Sequence, residues 1–456
     1  MSVISDFLGK SARQNVLDAL EKAKSNEQYH ALLNLTEKRA LERADAVDRG
    51  EITGQLAGVP FVVKDNFLAF GAPTTAASKM LENFESPLQA TAVEKLESEG
   101  AICIGKANLD AFAHGGSTEN SAFGPTKNAF DMERVAGGSS GGSAVVTALD
   151  IVPFALGSDT GGSIRQPASF NGVVGVKPTY GAVSRFGVVA MASSTDVIGA
   201  FTTNVADAEL IMELITGHDE RDGTTLPDFF KKADVKTNQK IGLIKDFMTS
   251  DVDPEVLART NEYVEKLRAA GHIVEEVELP MAKYALAIYY IVVPAELSSN
   301  LARYDGIRYG YRAEGVKTLA ELYGKTRDLG FVTENKRRIM IGSYVLSSGF
   351  FDAFYLKAQK ARTLLINEFD KLFEKYDSLI GPVVPTPAFK LGENTADPIR
   401  MYLTDIMTVP TSLAGLPALS VPAGTTDAGL PIGVQLMGPR RSDAALLALA
   451  RQMETK

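Results

Sequence analysis

The chain has 456 residues, 45% of them hydrophobic and 23% charged, with a formal net charge of −9. That composition describes a folded globule with ample core, and the negative balance repels phosphate backbones, so tight direct binding of nucleic acid is not expected without a local basic patch. The single cysteine, Cys103 in the apolar run AICIG, excludes a disulfide framework and a Cys/His metal cluster; it reads as a core residue in a chain of the reducing cytosol.

Residues 1–50 read as charged amphipathic helices, with no basic segment leading into an apolar one and so no secretion signal. From 58 to 204, short apolar strands alternate with helices and glycine turns. The run AGVPFVVKDN predicts a strand over 59–63, apolar on both faces and therefore buried on both, with Lys64 emerging where it ends. Asp65 follows on the opposite face, so the two side chains need not touch. A helix over 91–99 followed by a strand over 101–105 makes one alternating unit, and a helix over 255–270 with a strand over 273–277 makes another.

Two glycine and serine clusters stand out: GGSSGGS at 137–143 and GSDTGGSIRQP at 157–167. The stretch between them, AVVTALDIVPFAL, predicts a helix and then a buried strand, so both clusters fall at turns. Farther on, residues 217–239 are the most polar stretch and are expected at the surface. The most apolar helical run, 285–294, is ten residues long and too short to cross a bilayer. The only short basic patch of note is 336–338. A long helix over 352–376 and strand-like pieces at 378–384, 418–423 and 432–436 complete the chain, punctuated by Pro382, Pro385, Pro387 and Pro410. The alternation predicts an α/β sheet protein; periodicity alone does not separate one domain from two.

A glycine turn presents a serine well, because it removes the Cβ atoms that would block a substrate carbonyl and leaves backbone N–H groups free to converge on one oxygen. The serine hydroxyl then needs a base. Of the four histidines, His30 and His272 lie in charged, helical surroundings that read as surface, and only His114 stands beside a glycine turn, where a plain hydrogen-bonded role also fits. A Ser/His/Asp triad is therefore disfavoured, and Lys64 is the better base. Neutrality at pH 7 requires lowering its pKa by roughly 3 units from the free value, which burial among valines and a phenylalanine supplies. Read singly, Lys64 is equally a strand-end lysine reaching for solvent, and Ser139, Ser140 and Ser143 are equally helix caps. A phosphate loop fails on spelling, since GGS is followed by Ala144 or Ile164 rather than by the lysine and hydroxyl residue such a loop requires.

Lys64 behind its apolar strand, Ser139 in GGSSGGS and Ser163 in GSDTGGSIR, in this order and spacing, resemble the amidase signature family over nearly the whole chain. The resemblance implies one large α/β/α domain around a mixed sheet, with 1–50 as N-terminal helices, 58–204 as the core that holds the chemistry and 240–456 as the rest of the sheet and the pocket helices. It implies that Lys64 and Ser139, the latter after a cis peptide, relay the proton of the nucleophile Ser163. The backbone N–H groups of Thr160, Gly161, Gly162 and Ser163 would form an oxyanion hole, and Asp159 and Arg165 would brace the turn. No metal or cofactor is implied in this chain.

SSNLARYDGIRYGYR, the stretch from ENKRRIMIG to KARTL, and DPIRMYLTDIMTVPTSLAG are similar to the tRNA-dependent amidotransferase branch of that family. The likeness implies hydrolysis of free glutamine and transfer of the ammonia to a tRNA-binding partner that uses ATP and Mg. It also implies a second, small bridging partner, and no membrane. Tyr289, Arg338 and Asp405 fall where that branch holds glutamine; read alone they are a core aromatic, a solvated helix face and a helix cap. A stand-alone amidase acting on another carboxamide, or a scaffold whose site is dispensable, are the other readings. The chain departs from the common pattern at SSTDVIGA (193–200), with consequences expected for the rear of the cleft, and it ends early at METK, where a trimmed terminal helix is expected.

Overall fold

The computed structural model describes residues 3–227, 229–234 and 236–454. One 11-stranded mixed sheet carries the chain. Its strands are β1 (Leu32–Leu35), β2 (Pro60–Lys64), β3 (Ile102–Ala107), β4 (Phe154–Asp159), β5 (Val174–Lys177), β6 (Val197–Thr202), β7 (Lys240–Ile244), β8 (Ile273–Val277), β9 (Ser378–Pro382), β10 (Ala418–Thr425) and β11 (Pro431–Met437). In space they run β1-β3-β2-β4-β6-β5-β10-β11-β9-β7-β8. The pairs β3/β2, β2/β4, β9/β7 and β7/β8 are parallel, and the pairs between β4 and β9 in the sheet are antiparallel. With helices on both faces, the protein is α/β.

Alternation along β2 shows how the two faces fill. Phe61 and Val63 enter one core with Phe154, Val93 and Leu267, under helices Thr91–Ser98, Val205–Ile215, Pro254–Ala269 and Asp443–Met453. Val62 points the other way, into a core with Val145, Val146 and the inner face of helices Ala12–Ser25 and Glu37–Asp48. Lys64, two residues beyond Val62, lies on that second face, where helix Gly141–Ala148 packs. Because β2 and β4 are parallel neighbours with Val63 opposite Leu156, the carboxyl ends of both emerge at the same edge, and Lys64 meets the turn that follows β4.

Several expectations change. Residues 3–50 hold the helices Ala12–Ser25 and Glu37–Asp48, but also β1, an edge strand antiparallel to β3; LLNL between two helices carries no strand signature, and the pairing with Gly105–Ala107 decides it. His272 is 4% exposed, not a surface residue: it caps the start of β8, where Nδ1 accepts from Gln239 N–H at 3.2 Å and Nε2 meets Gln452 Oε1 at 3.0 Å. The apolar run at 285–294 belongs to a 19-residue helix, Ala282–Asn300, with Pro294 inside it. By length and composition the stretch Ala282–Arg303 could cross a membrane, but half of it is buried against the rest of the protein, including helices Thr333–Val345 and Lys357–Phe373. The long helix expected over 352–376 is a π-helical turn, Phe351–Leu356, leading into Lys357–Phe373. The polar stretch from 217 is a loop, but a tethered one, since Asp219 accepts from Thr91 Oγ1 at 2.5 Å and from Ser184 Oγ at 2.7 Å. The basic triplet at 336–338 is no patch: Lys336 pairs with Asp328, and Arg337 and Arg338 pair with Glu334.

Gly199 in β6 sits where a Cβ atom would lie 1.8 Å from the carbonyl oxygen of Val176 in β5. Gly199→Ala is expected to cost on the order of 3 kcal/mol of stability by forcing β5 and β6 apart. The check is the midpoint of chemical denaturation, and an unchanged midpoint would show that the strands separate freely at that point.

Candidate active site

The Gly138–Ser139 peptide is cis, and Lys64 Nζ lies 2.8 Å from Ser139 Oγ. The same amine lies 3.0 Å from Ser158 Oγ and 3.3 Å from the Ser158 carbonyl oxygen. Lys64 is fully buried, so it does not reach for solvent. Burial pushes its pKa down from 10.5 to about 7, opposed by the more distant charges of Asp110, Asp159 and Asp196. Asp65 does point away, to an ion pair with buried Lys106 at 3.2 Å and to the Thr75 N–H at 2.9 Å.

A depressed lysine alone does not mark a base. Lys177 is also buried and also held near 7, by burial and by Arg165, but its amine donates to the backbone carbonyls of Pro178 and Leu416. Of these two amines, only that of Lys64 meets hydroxyls.

Among the serines of the first cluster, none caps the helix that follows with its side chain. Ser140 Oγ donates to the Ser158 carbonyl at 3.1 Å and Ser143 Oγ to that of Leu156 at 2.9 Å, tying helix Gly141–Ala148 to β4. The Ser140 N–H donates to the Ser163 carbonyl at 3.2 Å, and the Gly138 N–H to Gln166 Oε1 at 2.7 Å, so the two clusters are laced together directly. Ser163 is 8% exposed against 0% for Lys64 and Ser139, so of the three it is the residue with access to solvent.

The turn bearing Ser163 is clamped by a buried ion pair. Asp159 and Arg165 approach to 2.9 Å, and the guanidinium also donates to the Thr408 carbonyl, Thr411 Oγ1, Ser412 Oγ and Gln435 Oε1 at 2.5–2.9 Å. Asp159 in turn accepts the N–H groups of Gly162 at 2.9 Å and Ile164 at 3.1 Å. This changes the expected oxyanion hole: Gly162 has already spent its donor on Asp159. Among the described residues the backbone N–H groups of Thr160, Gly161 and Ser163 have no acceptor and remain available. Gly161 is pinned through its carbonyl by Thr408 Oγ1 at 2.6 Å, and a Cβ atom on it would meet the Tyr289 ring at 2.7 Å.

Tyr289 and Asp405 reach this turn, Tyr289 as a buried core aromatic as well, and Arg338 lies close enough to act on the Asp405 carboxyl; Arg338 is no solvated helix face. Arg338 is 3% exposed; its Nε pairs with Glu334 at 2.8 Å and its guanidinium lies over the rings of Tyr290 and Tyr402, 5.2 and 5.5 Å from their centroids. Asp405 caps no helix with its side chain and stays partly open to solvent; its Oδ1 lies 3.4 Å from the position a Cβ atom would take on Gly162. Its enclosure pushes its carboxyl up to about 8, with Arg338 opposing and Asp159 adding. Tyr289 faces Gly161 and Tyr290 faces Arg338, so both tyrosines of the pair line the site.

Sequence reading missed five residues here. Ser158 and Asn66 hold the amine, Asn66 Nδ2 donating to Ser158 Oγ at 3.1 Å. Asp110 receives the N–H groups of Thr118 and Asn120 and gives its own to the Ser139 carbonyl at 3.3 Å. Asp196, inside the divergent SSTDVIGA segment, accepts from Thr160 Oγ1 at 2.7 Å and from the Met191 N–H at 2.9 Å, and with Ser158, Thr160 and Asn66 it lines a cavity of about 280 Å³ behind the serine turn. Thr408 holds Gly161. Ser158 in GSD and Asp196 in SSTD stood inside stretches already singled out; Asn66, Asp110 and Thr408 stand in no motif. Among the described residues there is no cluster of three or more His, Cys, Asp or Glu suited to a metal ion.

Comparison with known proteins agrees with this geometry. The amidase family's profile matches residues 14–447. The A subunit of glutamyl-tRNA(Gln) amidotransferase from Latilactobacillus sakei is 52% identical over 437 residues, 94% of this chain and 89% of that protein. Its counterpart from Gloeobacter violaceus is 50% identical over 98% of this chain and 93% of its own length. The crystal structure of the Thermotoga maritima counterpart superposes with a TM-score of 0.83 at 40% identity, covering 99% of this chain and 94% of that one. With the lysine, the two serines and the clamped turn arranged as described, the chain belongs to the amidase family.

Proposed function

We propose that this chain is the glutamine-hydrolysing subunit of a tRNA-dependent amidotransferase, releasing ammonia for the conversion of Glu-tRNA(Gln) to Gln-tRNA(Gln). The observation that carries the reading is the pairing of one cation, Arg338, and one anion, Asp405, beside the serine turn: glutamine offers a carboxylate and an ammonium beyond its amide, and a pocket with both charges fits it better than it fits a simple amide. The relatives named above, near 50% identity over almost the whole chain, support the same activity.

In this reading neutral Lys64 takes the Ser139 proton while Ser139 takes that of Ser163, and Ser163 Oγ attacks the amide carbon. The developing oxyanion is met by the free N–H groups of Thr160, Gly161 and Ser163. The relay then runs backward, returning the proton to the leaving ammonia and forming a glutamyl ester on Ser163. Water, deprotonated through the same pair, hydrolyses that ester. The ammonia passes to a tRNA-binding partner, which uses ATP and Mg to activate the tRNA-borne glutamate; a second, small partner bridges the two, and the complex works in the cytoplasm. This chain itself uses no cofactor and meets tRNA only through the partner.

Ser163→Ala is expected to lower ammonia release from glutamine by about 10⁴-fold or more with unchanged folding; retained turnover would defeat the assignment. The pH profile follows from Lys64 and Asp405. Lys64 works as the free amine, so kcat should fall about tenfold per unit below about 7 and level off above it. Asp405 must ionise before it can hold an ammonium, so kcat/KM should keep rising to about 8. A kcat already level at pH 5.5 would rule out a lysine base. Titrating glutamine into the Ser163→Ala protein at pH 7 should also release close to one proton, measured as a buffer-dependent binding enthalpy, because the ligand's ammonium draws Asp405 into its charged form.

A further inference from the structure

His114 is fully buried and takes no part in the scheme above, and its protonation pattern is dictated by its neighbours. Asn335 Nδ2 lies 2.9 Å from the Ala111 carbonyl oxygen. A carbonyl only accepts, so the amide must present its NH2 group there. The same Nδ2 lies 2.6 Å from His114 Nδ1, which is therefore the acceptor, and the ring proton resides on Nε2. That Nε2–H is buried with no acceptor, and Asn335 Oδ1 beside it is buried with no donor. Buried orphans of this kind are rare in folded proteins and call for a partner.

Location says what the partner is. Asn335 and Arg338 are three residues apart on helix Thr333–Val345, hence on one face, and both are buried; the imidazole bonded to the first stands within the field of the second. Burial and that positive field hold His114 far below its ordinary pKa, so it stays a neutral donor and does not compete with the guanidinium. Two residues on, Gly116 packs against Thr404, Gln166 and Asp405, so the segment that carries His114 adjoins the carboxylate beside the serine turn. The backbone is bent to put the ring there: Phe112 and Ala113, neither of them glycine, both hold left-handed φ values of 56° and 64°.

Resting on the reading of this site as a glutamine pocket, we propose that His114 is a specificity residue whose Nε2–H donates to the α-carboxylate of glutamine alongside Arg338. An anion there satisfies the orphan donor and adds a partner for the arginine, and an amide lacking the carboxylate leaves the His114 donor unpaired.

The test compares glutamine with 4-aminobutanamide, which is glutamine without its α-carboxylate, in ammonia release by the protein with its co-purifying subunits. His114→Met keeps the volume and removes the donor. It should raise KM for glutamine about tenfold with kcat within about twofold, and leave kcat/KM for 4-aminobutanamide within about twofold, which also shows that the variant is folded. His114→Gln, which restores an N–H within reach, should recover glutamine KM to within about threefold. An unchanged glutamine KM in His114→Met, or equal losses on the two amides, would overturn the role of His114 while leaving glutamine hydrolysis in place. A wild-type protein that cleaves 4-aminobutanamide as readily as glutamine would overturn the glutamine reading and this inference with it.

Discussion

The amine of Lys64 is useful only because no carboxylate touches it. Four aspartates lie close by, and each has its charge spent elsewhere. Asp65 is held by Lys106 and Thr75, and Asp159 by Arg165. Asp110 is capped by two backbone N–H groups, and Asp196 by Thr160 and the N–H groups of Met191 and Ala192. An ion pair with any of them would favour the ammonium form and offset the burial that lowers the pKa. Strand geometry does the first part of this separation, since the alternation of β2 sends Lys64 and Asp65 to opposite faces. The polar contacts of the surrounding turns do the rest, and what remains to the amine is a ring of hydroxyl and carbonyl oxygens that accept its hydrogens without fixing its charge.

The second constraint is the clamp on the serine turn. Arg165 is fully buried, and its donors are shared among Asp159 and four groups from Thr408, Thr411, Ser412 and Gln435. It thereby joins the turn after β4 to the carboxyl-terminal third of the chain. A buried ion pair of this kind is weak evidence for stability, but removal of one partner strands a charge, so the arrangement tolerates little variation. Its use here is positional. By engaging the Gly162 and Ile164 N–H groups, Asp159 fixes the turn in a shape that leaves the N–H groups of Thr160, Gly161 and Ser163 without an acceptor among the described residues. The clamp also carries the loop before Thr408, and with it Asp405, against the serine turn.

How much of this was legible in sequence depended on whether the signal was local. Burial of 59–63, the turns at 137–143 and 157–167, and the helix and strand between them rest on side chains within a few positions of each other, and they appear as read. Edge strand β1 did not, because four residues between two helices become a strand only when β3 supplies the hydrogen bonds. His272 looked like surface for a related reason: its neighbours in sequence are charged, and its cover comes from Gln239 and Gln452. The Gly162 donor looked free because the side chain that takes it up is three residues back in a turn whose path is not spelled out in residue type.

Residue order by itself determined which groups stand out as candidates: a lysine behind a buried apolar strand, two serines in glycine turns, and the arginine, aspartate and tyrosine that sequence likeness marked. It also determined the α/β class, since periodicity follows from which faces must be dry. Tertiary structure alone decided whether those groups meet, which charges cancel, and which donors stay free. The physical reason is that pKa, hydrogen-bond satisfaction and pocket shape depend on what lies within a few ångströms in space, and for Lys64, Arg338 and His114 those neighbours come from segments far removed along the chain.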